Sequence, residues 1–259
     1  MSPFFAKGWS VLPFDARVKA WAKAAWLAGQ DAMRAPEMAQ WWACENTWFI
    51  GVDALPNDPS GAIGGVALDG APLSALTELY GPLPELHSAQ LSVVTAGYPR
   101  PRDNESEAAF GYRLRRDAAH IDGLKRGPKG ERLLEEPHHW LLGLPLTTNI
   151  DAESPLVVWE GSHEVMRAAL GRVLMEIQPQ EWAVTDISEA YQAARREVFA
   201  SCRRVPVLAQ PGEAVLVHRL CLHGVAPWED HGANEANLRG IAYFRPVMIG
   251  DIRGWITQP

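Results

Sequence analysis

The chain of 259 residues has only three cysteines, Cys44, Cys202 and Cys221, and no CxxC pair. So few and so scattered, they exclude a disulfide framework and a thiolate zinc site, and they fit a reducing cytoplasm. Basic charge is also scarce. Lys and Arg number 24 against 31 Asp and Glu, for a net charge of −7 and a pI near 5.6. That balance argues against nucleic acid or an anionic membrane as partner. No apolar run approaches the ~18 residues a spanning helix needs, and residues 1–8 contain no signal-peptide core. Repeats and low-complexity tracts are missing as well. With 47% hydrophobic and 21% charged residues, the chain can bury a proper core and excludes neither one large domain nor two small ones.

Tryptophan is plentiful, with 11 in all, and six of them (Trp9, Trp21, Trp26, Trp41, Trp42 and Trp48) precede residue 50. Their position assigns them to packing of the N-terminal region. Asp15 caps a helix to about residue 34, where Val18, Trp21, Ala25 and Ala28 form one apolar stripe and Pro36 ends it. A short helix over 37–43, a strand over 47–52, a loop over 55–61, a helix over 73–79 and a strand over 89–95 follow. A polar loop over 98–105 then leads to a strand over 110–115. After a turn at 125–131 come strands over 139–148, 156–159, 205–208, 214–217 and 239–245. Helices over 162–176, capped by Ser162, and 188–202 stand between them.

The stretch Ala119-His120-Ile121-Asp122-Gly123 carries the chemistry. At the end of a strand, residues i and i+2 share a face, so one imidazole and one carboxylate meet a cation from the same side. That is two thirds of a 2-His-1-carboxylate triad. A third ligand is available in His223, which ends the apolar run launched by Pro211-Gly212, and Arg239 opens the last strand 16 residues later. Taken singly, HxD also fits a strand-end pair bonding a turn, His223 a core histidine, and Arg239 a surface arginine. His87, His138, His139, His218 and His231 have no triad spacing.

In order, HxD, the Gly161-Ser162-His163 turn, the Gly-led strand ending on His223 and then Arg239 resemble the phytanoyl-CoA dioxygenase family of Fe(II)/2-oxoglutarate oxygenases. The resemblance covers roughly residues 91–246. It implies an α+β fold with a double-stranded β-helix (jelly-roll, cupin-like) core covered by helices. Residues 1–259 would form one oxygenase domain, with a mainly helical part over 1–88 and the β-helix over 89–246. It further implies Fe(II) on His120, Asp122 and His223, and 2-oxoglutarate chelating that iron while Arg239 holds the far carboxylate. His163 would end a structural turn and not ligate. Dioxygen and a small molecule would be the remaining substrates, with hydroxylation, succinate and CO2 as the outcome; Asp122 fills the place where halogenating members carry a small residue.

Two positions depart from the family pattern. Ile241 stands where a hydroxyl residue commonly shares the carboxylate, and Ala118 where some relatives carry glutamine. Gln90, Thr147 and Thr148 are the candidates for that second polar contact. The departures also keep open a cupin-like metal protein without oxygenase activity, whether isomerase, hydrolase or ligand-binding module. Finally, residues 100–132 hold nine basic against six acidic residues. This excess suggests an anionic substrate met by Arg100, Arg102 and Lys125.

Overall fold

The computed structural model describes residues 2–230 and 237–259; His231 lies outside the described residues. After α1 (Pro3–Lys7) and β1 (Trp9–Leu12), the long helix α2 (Ala16–Arg34) starts where Asp15 accepts the Arg17 amide at 2.9 Å. Its buried residues Val18, Trp21, Ala22, Ala25 and Gly29 keep the spacing of one helix face. Trp21 is fully buried, with its indole donating to Gly61 O at 2.7 Å. Truncating it to alanine costs about 3–5 kcal/mol. Ala35 turns extended ahead of Pro36, as a residue before proline must, and a 3-10 turn, Pro36–Trp41, replaces the expected second helix.

Strands β2 (Trp42–Ala43) and β3 (Trp48–Phe49) are shorter than the expected 47–52, whereas α3 (Ala71–Tyr80) and β4 (Gln90–Thr95) fall where the sequence puts them. The main departure is α4 (Glu107–Arg115), which stands where the pattern predicts a strand over 110–115. Ser106 Oγ accepts the Ala109 amide, Glu107 sits in the first turn, and Arg113 forms a two-point pair with Glu105, at 2.8 and 2.6 Å. Capping and that buried pair override the strand-like Phe110, Tyr112 and Leu114. His120 therefore does not end a regular strand.

The hairpin β5 (Leu124–Arg126) and β6 (Arg132–Leu134) encloses the expected turn. Then come β7 (Trp140–Pro145), β8 (Leu156–Glu160), α5 (Ser162–Leu174), α6 (Ser188–Ser201), β9 (Arg203–Val207), β10 (Ala214–His218), β11 (His223–Val225), β12 (Leu238–Phe244) and α7 (Gly254–Thr257). Besides the β5–β6 hairpin, two antiparallel sheets result. The larger runs β1-β10-β7-β12-β4-β3-β2 and the smaller β11-β8-β9. The N-terminal residues thus supply both edges of the large sheet as well as helices.

Alternation assigns each face of the large sheet. Leu142, Leu144, Leu216, Ala242 and Phe244 join α2 in one core, while Leu141, Val215 and Val217 meet Leu156 and Val158 of the small sheet in another. A third core packs α5 and α6 behind the small sheet, with Val157 and Trp159. Two facing antiparallel sheets with helices outside are the double-stranded β-helix in an α+β setting. Among the described residues, no helix is long and apolar enough to cross a membrane.

Candidate metal centre

The chain leaves α4 through two residues in the left-handed region, Asp117 (φ 51) and Ala118 (φ 53). It then runs briefly antiparallel to β11: His120 N donates to His223 O at 2.8 Å and His223 N to His120 O at 3.0 Å. This isolated bridge stands in for the missing strand and brings the two distant motifs side by side. Asp122 follows in a turn before β5. His223 opens β11 and does not end β10, because the chain reverses over 219–222 between the sheets. Leu222 O accepts from Trp159 N at 2.9 Å, and Ser162 Oγ accepts from Leu222 N at 2.8 Å. Ser162 is therefore not the cap of α5. Gly161 occupies that position, and the serine instead fixes the turn before His223. Gly224 matters here for a different reason: any Cβ would collide with Asp117 O, which accepts from Val225 N at 2.8 Å.

One ligand atom each from His120, Asp122 and His223 lies within 4.8 Å of the others. His120 Nε2 is 3.3 Å from Asp122 Oδ1, and His223 Nε2 is 3.8 Å from Asp122 Oδ2. Both rings point Nδ1 at a carbonyl two residues upstream, Ala118 O and Cys221 O, each at 2.9 Å. Nδ1–H donation to those carbonyls turns both Nε2 atoms toward Asp122, and a metal there would take the place of the proton that His120 Nε2 shares with the carboxylate. Burial, with the neighbouring His120, pushes His223 down to about 4, so its ring is neutral at physiological pH. Burial opposes charge on Asp122 too, but the His120 hydrogen bond, His223 and Arg245 hold its carboxyl well below the usual range. Two imidazole nitrogens and a carboxylate on one side suit Fe(II) with open positions opposite.

Two cavities meet at this cluster. The inner one, 220 Å³, lies between the sheets and is lined by Trp48, Gln90, Ser92, His223, Tyr243 and Arg245 among others. The outer one, 530 Å³, opens beyond His120 and Asp122 under α4 and α6. Arg239 lies on the inward face of β12 and is 1% exposed. Its Nη2 donates to Tyr243 Oη at 3.4 Å, while Nε and Nη1 have no partner. Arg239 does not itself line either cavity but stands behind Tyr243, which lines the inner one, and a buried guanidinium with two idle donors there fits a carboxylate.

Gln90 reaches the inner cavity, with its amide nitrogen on Ile50 O at 2.9 Å. Thr147 does not. It faces a separate cavity with Thr148 and Asn149, and its hydroxyl binds Leu238 O and the Gly240 amide. Residues not anticipated are Ser92, Tyr243 and Arg245. The signal for the last two was the alternation 239, 241, 243, 245 along one strand face. Arg245 Nη1 stands 3.6 Å from Asp122 Oδ1. His163 stands outside this cluster, its Nε2 meeting Phe5 O at 2.9 Å.

No family model matches the chain, and no curated protein matches it in sequence. Solved structures do. EctD from S. alaskensis in its apoform matches with a TM-score of 0.50 and 16% identity, over 93% of this chain and 73% of that one. AviO1 from Streptomyces viridochromogenes gives 0.48 and 15%, over 95% and 91%. The non-haem α-ketoglutarate-dependent carbocyclase SnoK from nogalamycin biosynthesis gives 0.44 and 12%, over 94% and 81%. At such identities the likeness to EctD establishes the fold, the double-stranded β-helix read above from the sheet order.

Proposed function

We propose that the chain is an Fe(II)- and 2-oxoglutarate-dependent dioxygenase, a single oxygenase domain of the phytanoyl-CoA dioxygenase type, that hydroxylates a small molecule in the cytoplasm. The observation that carries the reading is the convergence of His120, Asp122 and His223 with both Nε2 atoms turned inward. When bound, the iron and 2-oxoglutarate supply the oxidising chemistry, by which dioxygen, 2-oxoglutarate and an R–H bond become succinate, CO2 and R–OH.

The remaining work is done by the chain. His120, Asp122 and His223 hold the metal from one side, and the Ala118 and Cys221 carbonyls fix the rings. Arg239 takes the far carboxylate of 2-oxoglutarate through its idle donors, with Tyr243 as its hydroxyl neighbour in the place that Ile241 leaves apolar. Gln90 and Ser92 add polar wall, and Trp48, Leu141 and Leu156 keep water from the inner cavity. The test is Fe(II)-dependent release of CO2 from 2-oxoglutarate by protein purified without oxygen. A protein that retains iron but releases no CO2 with any of a broad substrate panel is a cupin-like metal binder instead.

A further inference from the structure

The outer cavity has a preorganised cation that the metal reading leaves without a task. Arg195, on α6, has its guanidinium 4.3 Å from the Tyr112 ring centroid and 5.3 Å from that of Tyr191. Both rings are themselves pinned to the ligand turn: Tyr112 Oη donates to Ala119 O at 2.7 Å, and Tyr191 Oη accepts from Ile121 N at 3.4 Å. The hydroxyls thus hold the backbone on either side of His120, and their rings hold Arg195. Lying over these two rings, the guanidinium is held by its charge and keeps N–H donors for hydrogen bonds. Its Nε is buried and has no partner.

The charges around this edge do not balance. Among the cavity's basic residues, Arg113 is satisfied by Glu105 at 2.6 Å and Lys125 by Glu135 at 2.7 Å. Arg102, Arg132 and Arg195 have no ion pair among the described residues. Arg102 rests on the Trp48 ring at 5.2 Å. Of the acids on the wall, Asp122 belongs to the metal cluster and Glu135 to Lys125, which leaves Glu136, 57% exposed. Three arginines without an ion pair, set against one exposed carboxylate on a concave wall, form a site for an oxyanion. Arg100, expected to join such a site, is not on this wall and gives its carbonyl to Arg113, while Lys125 is already paired.

We propose that the outer cavity binds a substrate bearing a phosphate or carboxylate group, and that Arg195 and Arg132 grip this group while the body of the substrate reaches toward His120 and Asp122. That the anion is the substrate rests on the oxygenase reading; that the cavity binds an oxyanion does not.

The test titrates the full chain, metal-free and Ni(II)-loaded, with phenyl phosphate, benzoate and the neutral benzyl alcohol by calorimetry. One or both anions bind at least about tenfold more tightly than benzyl alcohol, the difference expected from a charge-assisted pair. Their ranking tells a phosphate site from a carboxylate site. Arg195→Gln and Arg132→Gln each weaken the preferred anion about tenfold. Arg195→Lys, which keeps the charge and loses the fork, recovers only part of the affinity. Lys125→Gln leaves it within about twofold, as expected for an exposed pair. Benzyl alcohol binding as tightly as the anions, or full anion affinity in both folded glutamine variants, would overturn the site. Ni(II) retention on the same samples reports on the metal separately. A protein that holds the anion but no metal refutes the oxygenase reading alone, and one that holds metal but no anion refutes this site alone.

Discussion

Asp117 and Arg204 form a two-point ion pair, with Arg204 Nε 2.7 Å from Asp117 Oδ2 and Nη2 2.8 Å from Oδ1. It ties the turn before His120 to β9, which pairs with β8, which in turn pairs with β11 and His223. Asp117 and Ala118 hold left-handed backbone, at on the order of 1–2 kcal/mol each. The pair, 5% exposed on the aspartate side, keeps them there.

Arg204→Gln is therefore expected to loosen the approach of His120 to His223 and to weaken Ni(II) binding on the order of tenfold, the lower range for groups that orient ligands. Arg203→Gln is the control, because its partner Glu160 is met at the exposed sheet edge. Calorimetric Ni(II) affinities decide: equal values for the two variants would remove Asp117 from the support of the site.

Loss of a ligand itself has a larger effect. His120→Ala, Asp122→Ala and His223→Ala are each expected to lower Fe(II) affinity by more than about 100-fold, beyond the cost of losing a merely orienting group. Circular dichroism should show each still folded, since the bridge between residues 120 and 223 is made by backbone atoms. Any one variant that retains iron at the wild-type level, measured by metal analysis after gel filtration, breaks the triad.

Arg239 separates two measurements that usually fall together. A buried cation with unpaired Nε and Nη1 destabilises the empty protein, by about 1–3 kcal/mol for unsatisfied buried groups. Arg239→Met should thus melt no lower than wild type without 2-oxoglutarate, yet lose the rise in Tm that millimolar 2-oxoglutarate gives the Ni(II)-loaded wild type. If the variant keeps that rise, the carboxylate is held elsewhere.

How much of this was legible depended on how local the cause was. Helix α2 could be read because its apolar stripe is local and Asp15 and Pro36 flank it directly. Helix α4 could not, since Phe110, Tyr112 and Leu114 alternate like a strand, and the Ser106 cap and the Arg113–Glu105 pair count only once Arg113 is buried against the distant Cys44. His120, Asp122 and His223 were picked out by residue type and order, and the structure brings them together, although through a bridge and a turn and not a strand end. Tyr243 was within reach of a period-2 reading from Arg239. Arg195 was not, because only the packing of α6 over Tyr112 places it above the metal turn.

Burial lowers His138, His139, His163 and His218, the last well below its ordinary value with help from Arg219, His163 and Arg167. Among the described histidines, His120, beside Asp122, is the one raised. In the unfolded chain every imidazole takes up a proton near pH 6.5, whereas the buried ones stay neutral in the folded protein. Below about pH 6.5 the unfolded state thus binds more protons, and stability falls as pH falls, by up to about 1.4 kcal/mol per pH unit for each such ring. His120 works the other way only above about pH 6.5, where its raised pKa lets the folded state bind the extra proton, and adds no slope below that pH. Urea unfolding with EDTA present, at pH 7.5, 6.0 and 5.0, should show a steady loss of stability well above the range where carboxylates titrate. His218→Gln should flatten that slope, because His218 is fully buried and contributes over the whole window. Identical slopes in wild type and His218→Gln would mean that this ring does not stay neutral in the fold.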